Sequence, residues 1–253
     1  MNRILDARHY IVKISLERNK VPEFSRYPFN IPAVKGLDEI LLHPAVTFFV
    51  GENGAGKSTL IEAIAAAYGF NPEGGSINFT FSTNQTHSEL HNFIRLQKGL
   101  KKPSDGYFLR AESFYNVATN IDEMDAIPAC APKLINSYGG KSLHQMSHGE
   151  SFIALMLNRF RGKGLYILDE PEAAMSPSRL LVMLSRIHQL VEQGSQFIIS
   201  THSPILMAYP DSRIYMIDEN GIKETPYEET EHYILTRQFI NNRQSLLNEL
   251  LKE

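Results

Sequence analysis

The chain has a single cysteine, Cys130, which excludes an internal disulfide framework and fits a reducing compartment. It also lacks any run approaching the roughly 18 apolar residues of a membrane span. The opening stretch, MNRILDARHYIVKISLERNK, carries acids and has no apolar segment of signal-peptide type. These absences predict a soluble cytoplasmic protein with no direct membrane insertion, any membrane association being made through a partner. Strong charge imbalance is missing too: a formal net charge of −3 gives no global basic field, so net charge does not imply nucleic acid. Repeats and low-complexity linkers are absent. What is present, 253 residues with 43% apolar and 21% charged, is ordinary for a globular protein with a sizeable core.

Along the chain, short apolar runs alternate with helical patterns. Strands are expected at Tyr10–Leu16, Thr47–Val50, Gly106–Arg110, Leu165–Leu168 and Gln196–Ser200, with loops and short edge strands between Pro22 and Pro44. Asn71–Thr83 reads as a hairpin or edge strand. Asn220-Gly221 turns a second hairpin between Arg213–Ile217 and Ile222–Lys223. Helices are expected at Leu60–Tyr68, Ser88–Lys102, Phe152–Phe160 and Ser178–Gln193, and as one or a pair over Glu228–Glu253; residues 116–145 read as an irregular connector. The alternation predicts an α/β fold with a mostly parallel sheet and antiparallel edges.

GENGAGKST, Gly51 to Thr59, satisfies G-x-x-x-x-G-K-[ST] in full, between a buried strand and a helix. Its glycines let the backbone curl with N–H groups inward, an anion nest at a helix N-terminus. Asn53, Gly54, Ala55 and Gly56 would line the phosphates, Lys57 would place its charge at the β/γ-phosphates, Ser58 would reach Mg²⁺, and Thr59 would lie near the α-phosphate. The four fixed positions match by chance in roughly one such chain in a hundred, fewer once context is required.

Two further strands end in chemistry. LYILDEPE delivers Asp169 and Glu170 at a strand's carboxyl end, where open α/β sheets bind ligands. Asp169 suits Mg²⁺, and Glu170 suits the general base for the attacking water. FIISTHSP delivers His202, which can hydrogen-bond a γ-phosphate. Between loop and acids, QMSHGESFIAL carries Ser147-x-x-Glu150, a capping box ahead of an apolar run.

In this order, phosphate loop, Met146-Ser147-His148-Gly149-Glu150, Asp169-Glu170-Pro171 and His202, the chain resembles the ATP-binding-cassette superfamily of P-loop ATPases over nearly its whole length, and within it small bacterial ATPases of ABC-like or AAA type. The family signature is usually LSGGQ; here His148 replaces a glycine and Glu150 a glutamine. The resemblance implies a single ATPase domain over 1–253, with a helical, signature-bearing lobe at about 84–162. It implies ATP and Mg²⁺ as cofactors and an ATP-dependent head-to-tail homodimer in which Ser147 and Gly149 of one protomer contact the γ-phosphate held by Lys57 of the other. It also implies a D-loop at residues 173–176. The family's glutamine loop has no glutamine here, so Glu112 takes its metal- or water-contacting place. Tyr27 and Phe29 are the candidate adenine-stacking aromatics. The interval from Lys57 to Asp169 is too short for coiled-coil arms, leaving a compact head.

The expected function is Mg-dependent ATP hydrolysis driving conformational work on an unidentified protein or nucleic-acid partner. The alternatives are the ATP-binding subunit of a transporter, or a nucleotide-gated nucleic-acid-binding module using Arg95, Lys98, Lys101 and Lys102.

Overall fold

The computed structural model describes residues 9–77, 88–111, 113–127, 132–173 and 175–252. Among the described residues, seven strands form the main sheet. Its centre is five parallel strands in the spatial order β9 (Ser212–Asp218), β3 (Val46–Gly51), β8 (Gln196–Ser200), β7 (Gly164–Asp169) and β6 (Asp105–Arg110). Antiparallel β10 (Gly221–Glu224) and the two-residue β4 (Gly75–Ser76) close its edges. A second, antiparallel sheet has the order β2 (Glu39–Leu41), β1 (Ile11–Leu16), β5 (Ile94–Lys98).

The period of two along each central strand sorts residues to opposite faces. Phe48, Tyr107, Leu109, Tyr166, Leu168, Phe197 and Ile199 join one core, shared with α3 (Phe114–Ala126), α4 (His148–Asn158), α5 (Pro177–Glu192) and α6 (Pro204–Met207). Phe49, Phe108, Leu165, Ile167 and Ile198 join the other, with the short α1 (Pro32–Lys35), α2 (Lys57–Tyr68) and the antiparallel sheet. Coverage on both faces explains why the central strands read as unbroken apolar runs.

Side chains stitch the two sheets: Arg213 and Tyr215 of β9 donate to the Leu41 carbonyl of β2, at 2.9 and 2.7 Å, and Gln196 of β8 reaches β1. Gln196, fully buried, accepts from the N–H groups of Tyr10 and Ile11 (2.9 Å each) and donates to the carbonyls of Ile11 (2.8 Å) and His43 (2.9 Å). It serves the stretch where the β1–β5 register shifts, between Ile11 and Lys13, and where the ladder leaves backbone groups over.

Two sequence expectations fail. Ser88–Lys102 is not a helix: a 3₁₀ turn at Glu89–Asn92 leads into β5. The stretch satisfies both periods, and pairing with β1 selects the strand, burying Ile94 and exposing Arg95 and Gln97. The basic residues therefore share no helical face, and Lys98 lies over the Tyr68 ring, 4.5 Å from its centroid. Nor is 116–145 irregular. It holds α3, with Phe114, Val117, Ala118 and Ile121 buried at helical spacing, and two 3₁₀ turns. Among the described residues between 88 and 162, α-helix begins at Phe114, after β5 and β6. The Asn71–Thr83 expectation is met by β4 as far as residue 77, and residues 78–87 lie outside the described residues, as does Cys130.

The last segment is a pair of helices, α7 (Glu231–Asn241) and α8 (Arg243–Leu250). Among the described residues, no helix is long and apolar enough to cross a membrane.

Candidate active site

The site gathers at the carboxyl ends of β3, β7 and β8. After β3 the chain turns through Gly51, Gly54 and Gly56, with φ of +147°, +84° and +96°, which L side chains rarely adopt. At Gly51 a side chain is excluded outright, since a Cβ would lie 2.2 Å from the Ile217 carbonyl oxygen. The loop leads into α2, whose first residue, Lys57, is 3% exposed. Its Nζ donates to the carbonyls of Gly51 and Glu52, 3.0 Å each, and lies 4.0 Å from Glu170 Oε1. Burial pulls the Lys57 pKa below its ordinary value, opposed by Glu170, Asp169 and Glu172.

Asp169, the last residue of β7, is 5% exposed, and burial raises its pKa to about 6. Hydrogen bonds from the Ser200 and Ser58 hydroxyls pull the other way. A buried carboxylate joined to the first turn of α2 by a serine hydroxyl is an all-oxygen donor pair. Such a pair suits a hard divalent cation, and Mg²⁺ fits the residues present.

Glu170 follows with φ +48°, a left-handed conformation that costs a non-glycine residue about 1 kcal/mol or more. Its N–H is held by both the carbonyl and the hydroxyl of Ser200 at 3.1 Å. That backbone aims the carboxylate between Lys57 and His202, whose Nε2 is 3.3 Å away. Glu172 braces the histidine's loop: its Oε1 accepts from the Thr201 hydroxyl at 2.7 Å and the His202 N–H at 2.6 Å.

The fold therefore brings Lys57, Ser58, Asp169, Glu170 and His202 together. Glu112 lies outside the described residues, as does Ala174 of the expected D-loop; the strand leading to Glu112 ends level with the site, Arg110 pairing with Asp169. Phe29 is not available to stack on a base. It is fully buried, edge-to-face on Phe93 at 4.8 Å, whereas Tyr27 is 57% exposed. Instead, a cavity of about 780 Å³ opens beside the loop, lined among others by Glu52, Asn53, Asp218, Lys223 and Glu231, and neither aromatic borders it.

Ser147 and Gly149 belong to another element, Ser147 as the N-cap of α4 and Gly149 in its first turn. The capping box is complete: Ser147 Oγ accepts from Glu150 N–H at 3.4 Å, and Glu150 accepts from Ser147 N–H at 3.0 Å. Arg179 of α5 donates to both side chains, at 3.4 and 3.0 Å. Those hydrogen bonds, the backbone one foremost, hold the Glu150 pKa below the usual carboxylate range.

Three residues escaped the sequence reading. Ser200 was only a strand end, although parallel register puts it opposite Asp169. Arg179 was one cation on an amphipathic helix. His232, at the start of α7, lies 3.3 Å from His202 and had no motif to mark it.

A loop turned by left-handed glycines into a helix start, a buried lysine and acids at strand ends define a P-loop nucleotide hydrolase. The ABC transporter family matches residues 35–173, more than half of the chain, and the protein belongs to that family. It is an ATPase of the ATP-binding-cassette type, which binds ATP and hydrolyses it to ADP and phosphate. The chain is similar to the energy-coupling factor transporter ATP-binding protein EcfA of Methanosphaera stadtmanae, 26% identical over 212 residues, covering 78% of this chain and 74% of that one. It is also similar to the cytochrome c biogenesis ATP-binding export protein CcmA of Legionella pneumophila, 22% identical over 210 residues, covering 81% and 98%. Among solved structures, cbiO1 from Clostridium perfringens, part of the ABC transporter complex cbiONQ, aligns with a TM-score of 0.45 at 16% identity, covering 94% and 97% of the two chains.

Proposed function

We propose that the chain hydrolyses ATP as an ATP-dependent head-to-tail homodimer and uses the closure to do conformational work on a macromolecular partner. The observation that carries this is the convergence of Lys57, Ser58, Asp169, Glu170 and His202 in one site, with the signature residues Ser147 and Gly149 on a separate helix start. A site lacking its signature is incomplete within one protomer, and a second copy would complete it.

In this reading Asn53, Gly54, Ala55, Gly56 and Thr59 wrap the phosphates with backbone N–H groups, and the cavity beside the loop takes ribose and base. Lys57 exchanges its two carbonyl partners for phosphate oxygens. Ser58 and Asp169, with Glu112, hold Mg²⁺, which supplies charge neutralisation on the phosphates when bound. Glu170 accepts a proton from the attacking water, and His202 donates from Nε2 to the γ-phosphate. Glu170→Gln should keep ATP binding and lose turnover. With ATP and Mg²⁺ it should run as a dimer in light scattering, and a persistent monomer would overturn the reading.

A second reading, the ATP-binding subunit of a transporter, is favoured by the relatives, whose names describe ATP-binding proteins of transport and export systems. Crosslinking in membranes separates the two: recovery of Glu170→Gln with a membrane protein supports the transporter, and recovery with a protein or nucleic acid outside the membrane supports the first.

A further inference from the structure

His232 sits on α7, thirty positions from His202, and α7 is anchored at its start. Buried Thr230 caps it by accepting from Tyr233 N–H, and the Tyr227 hydroxyl donates to the Pro204 carbonyl just past the histidine loop. That anchoring brings His232 Nε2 to 3.3 Å from His202 Nδ1, with ring centroids 5.5 Å apart. Both rings border a cleft of about 420 Å³ lined also by Glu52, Asn53 and Glu231. On its other side His202 presents Nε2 to the Glu170 carboxylate at 3.3 Å, out of line for a hydrogen bond in this geometry.

Between two ring nitrogens at hydrogen-bond distance there is one proton, and it has two possible owners. If His202 Nδ1 owned it, a neutral His202 would turn a bare Nε2 lone pair toward the Glu170 carboxylate. His232 Nδ1 has no hydrogen-bond partner with either owner, so the 3.3 Å approach of His202 Nε2 to Glu170 decides between them. If His232 Nε2 owns it, His202 carries its proton on Nε2, facing an acceptor, and His232 Nδ1 is left as a bare lone pair. Burial first, then the neighbouring His202, hold His232 below the ordinary histidine value, disfavouring its charged form.

We infer that His232 is a positioning residue for His202: its Nε2–H donates to His202 Nδ1 and fixes the His202 proton on Nε2, the nitrogen directed at the site. The inference rests on the proposed role of His202 at the γ-phosphate. It assigns to α7 a part in the reaction that none of the motifs contains.

The test is ¹⁵N NMR of the imidazoles in the nucleotide-free full chain, combined with ATPase kinetics. The expected spectrum has protons on Nε2 of both rings and a His202 Nδ1 resonance that shifts when His232→Phe removes the donor. A proton on His202 Nδ1, or an Nδ1 resonance indifferent to His232→Phe, would overturn the inference. In kinetics, His232→Phe should lower kcat about fivefold, the worth of one hydrogen bond, with the ATP KM nearly unchanged. His232→Gln, which keeps an N–H near the Nε2 position, should restore most of it; equal losses in both variants would refute positioning. His202→Ala separates the two readings. If it leaves kcat intact, the sensor role fails, while the spectrum of the unmodified protein still decides who owns the proton.

Discussion

Replacing Asp169 by asparagine should stabilise the protein free of nucleotide and cation while abolishing hydrolysis. The carboxyl is 5% exposed and its pKa is raised from 3.8 to about 6, so the folded chain holds a proton there that the unfolded chain has released. For an acid raised on folding, stability falls as pH rises from about 4 to about 6, and the penalty is complete above that window. A shift of about two pKa units corresponds to about 3 kcal/mol. Asparagine removes this charge but weakens the hydrogen bonds from Ser200 and Ser58, returning about 1 kcal/mol. The net gain at pH 7.5 is about 2 kcal/mol, or a few degrees in Tm. Urea unfolding in EDTA at pH 7.5 and pH 4 is the assay. The advantage of Asp169→Asn should vanish or reverse at pH 4. ATP with Mg²⁺ should invert the ranking at pH 7.5 by stabilising the parent through binding. A variant less stable than the parent at pH 7.5 in EDTA, or a difference equal at both pH values, would refute the claim that burial dominates this carboxyl.

Gln196→Leu should cost about 3–5 kcal/mol in urea unfolding, since it leaves the buried N–H groups of Tyr10 and Ile11 without acceptors. Gly51→Ala should cost at least about 2 kcal/mol, read by thermal unfolding, because the added Cβ meets the β9 backbone at a φ of +147°. His148→Gly should lose only about 0.5–1 kcal/mol, with ATPase activity and ATP-dependent dimerisation unchanged. The His148 ring is exposed and leans toward Phe152, 5.8 Å between centroids, as a filler would. A loss of dimerisation in light scattering would instead give that ring a part in the interface.

The site was legible where phosphate chemistry constrains residue types locally. A nest needs glycines, a buried strand end needs its acids together, and these needs leave short patterns at Gly51–Thr59 and Leu165–Glu172. Contacts assembled across the fold leave no such pattern. Ser200 gains its meaning only from parallel register with Asp169, and His232 only from where α7 docks. The central strands were legible because burial on both faces demands continuous apolar residues. Ser88–Lys102 was not, because Leu90, Phe93, Ile94 and Leu96 satisfy two periods at once and only the waiting edge of β1 decides between them. In α3 the apolar stripe of Phe114, Val117, Ala118 and Ile121 spans only about two turns, and the mixed residues that follow match a connector by pattern. Phe29 has the residue type of a base-stacking group, and only its burial against Phe93 marks it as core.

The Ser200 hydroxyl donates to Asp169 and accepts from the Glu170 N–H. One oxygen thus sets both the carboxylate proposed for the cation and the backbone twist of the residue proposed as base. For anyone re-engineering this enzyme, those two properties are not independent dials. A library that varies residues 169 and 170 while holding Ser200 fixed explores only the combinations one hydroxyl can serve, whereas varying all three together opens the remainder.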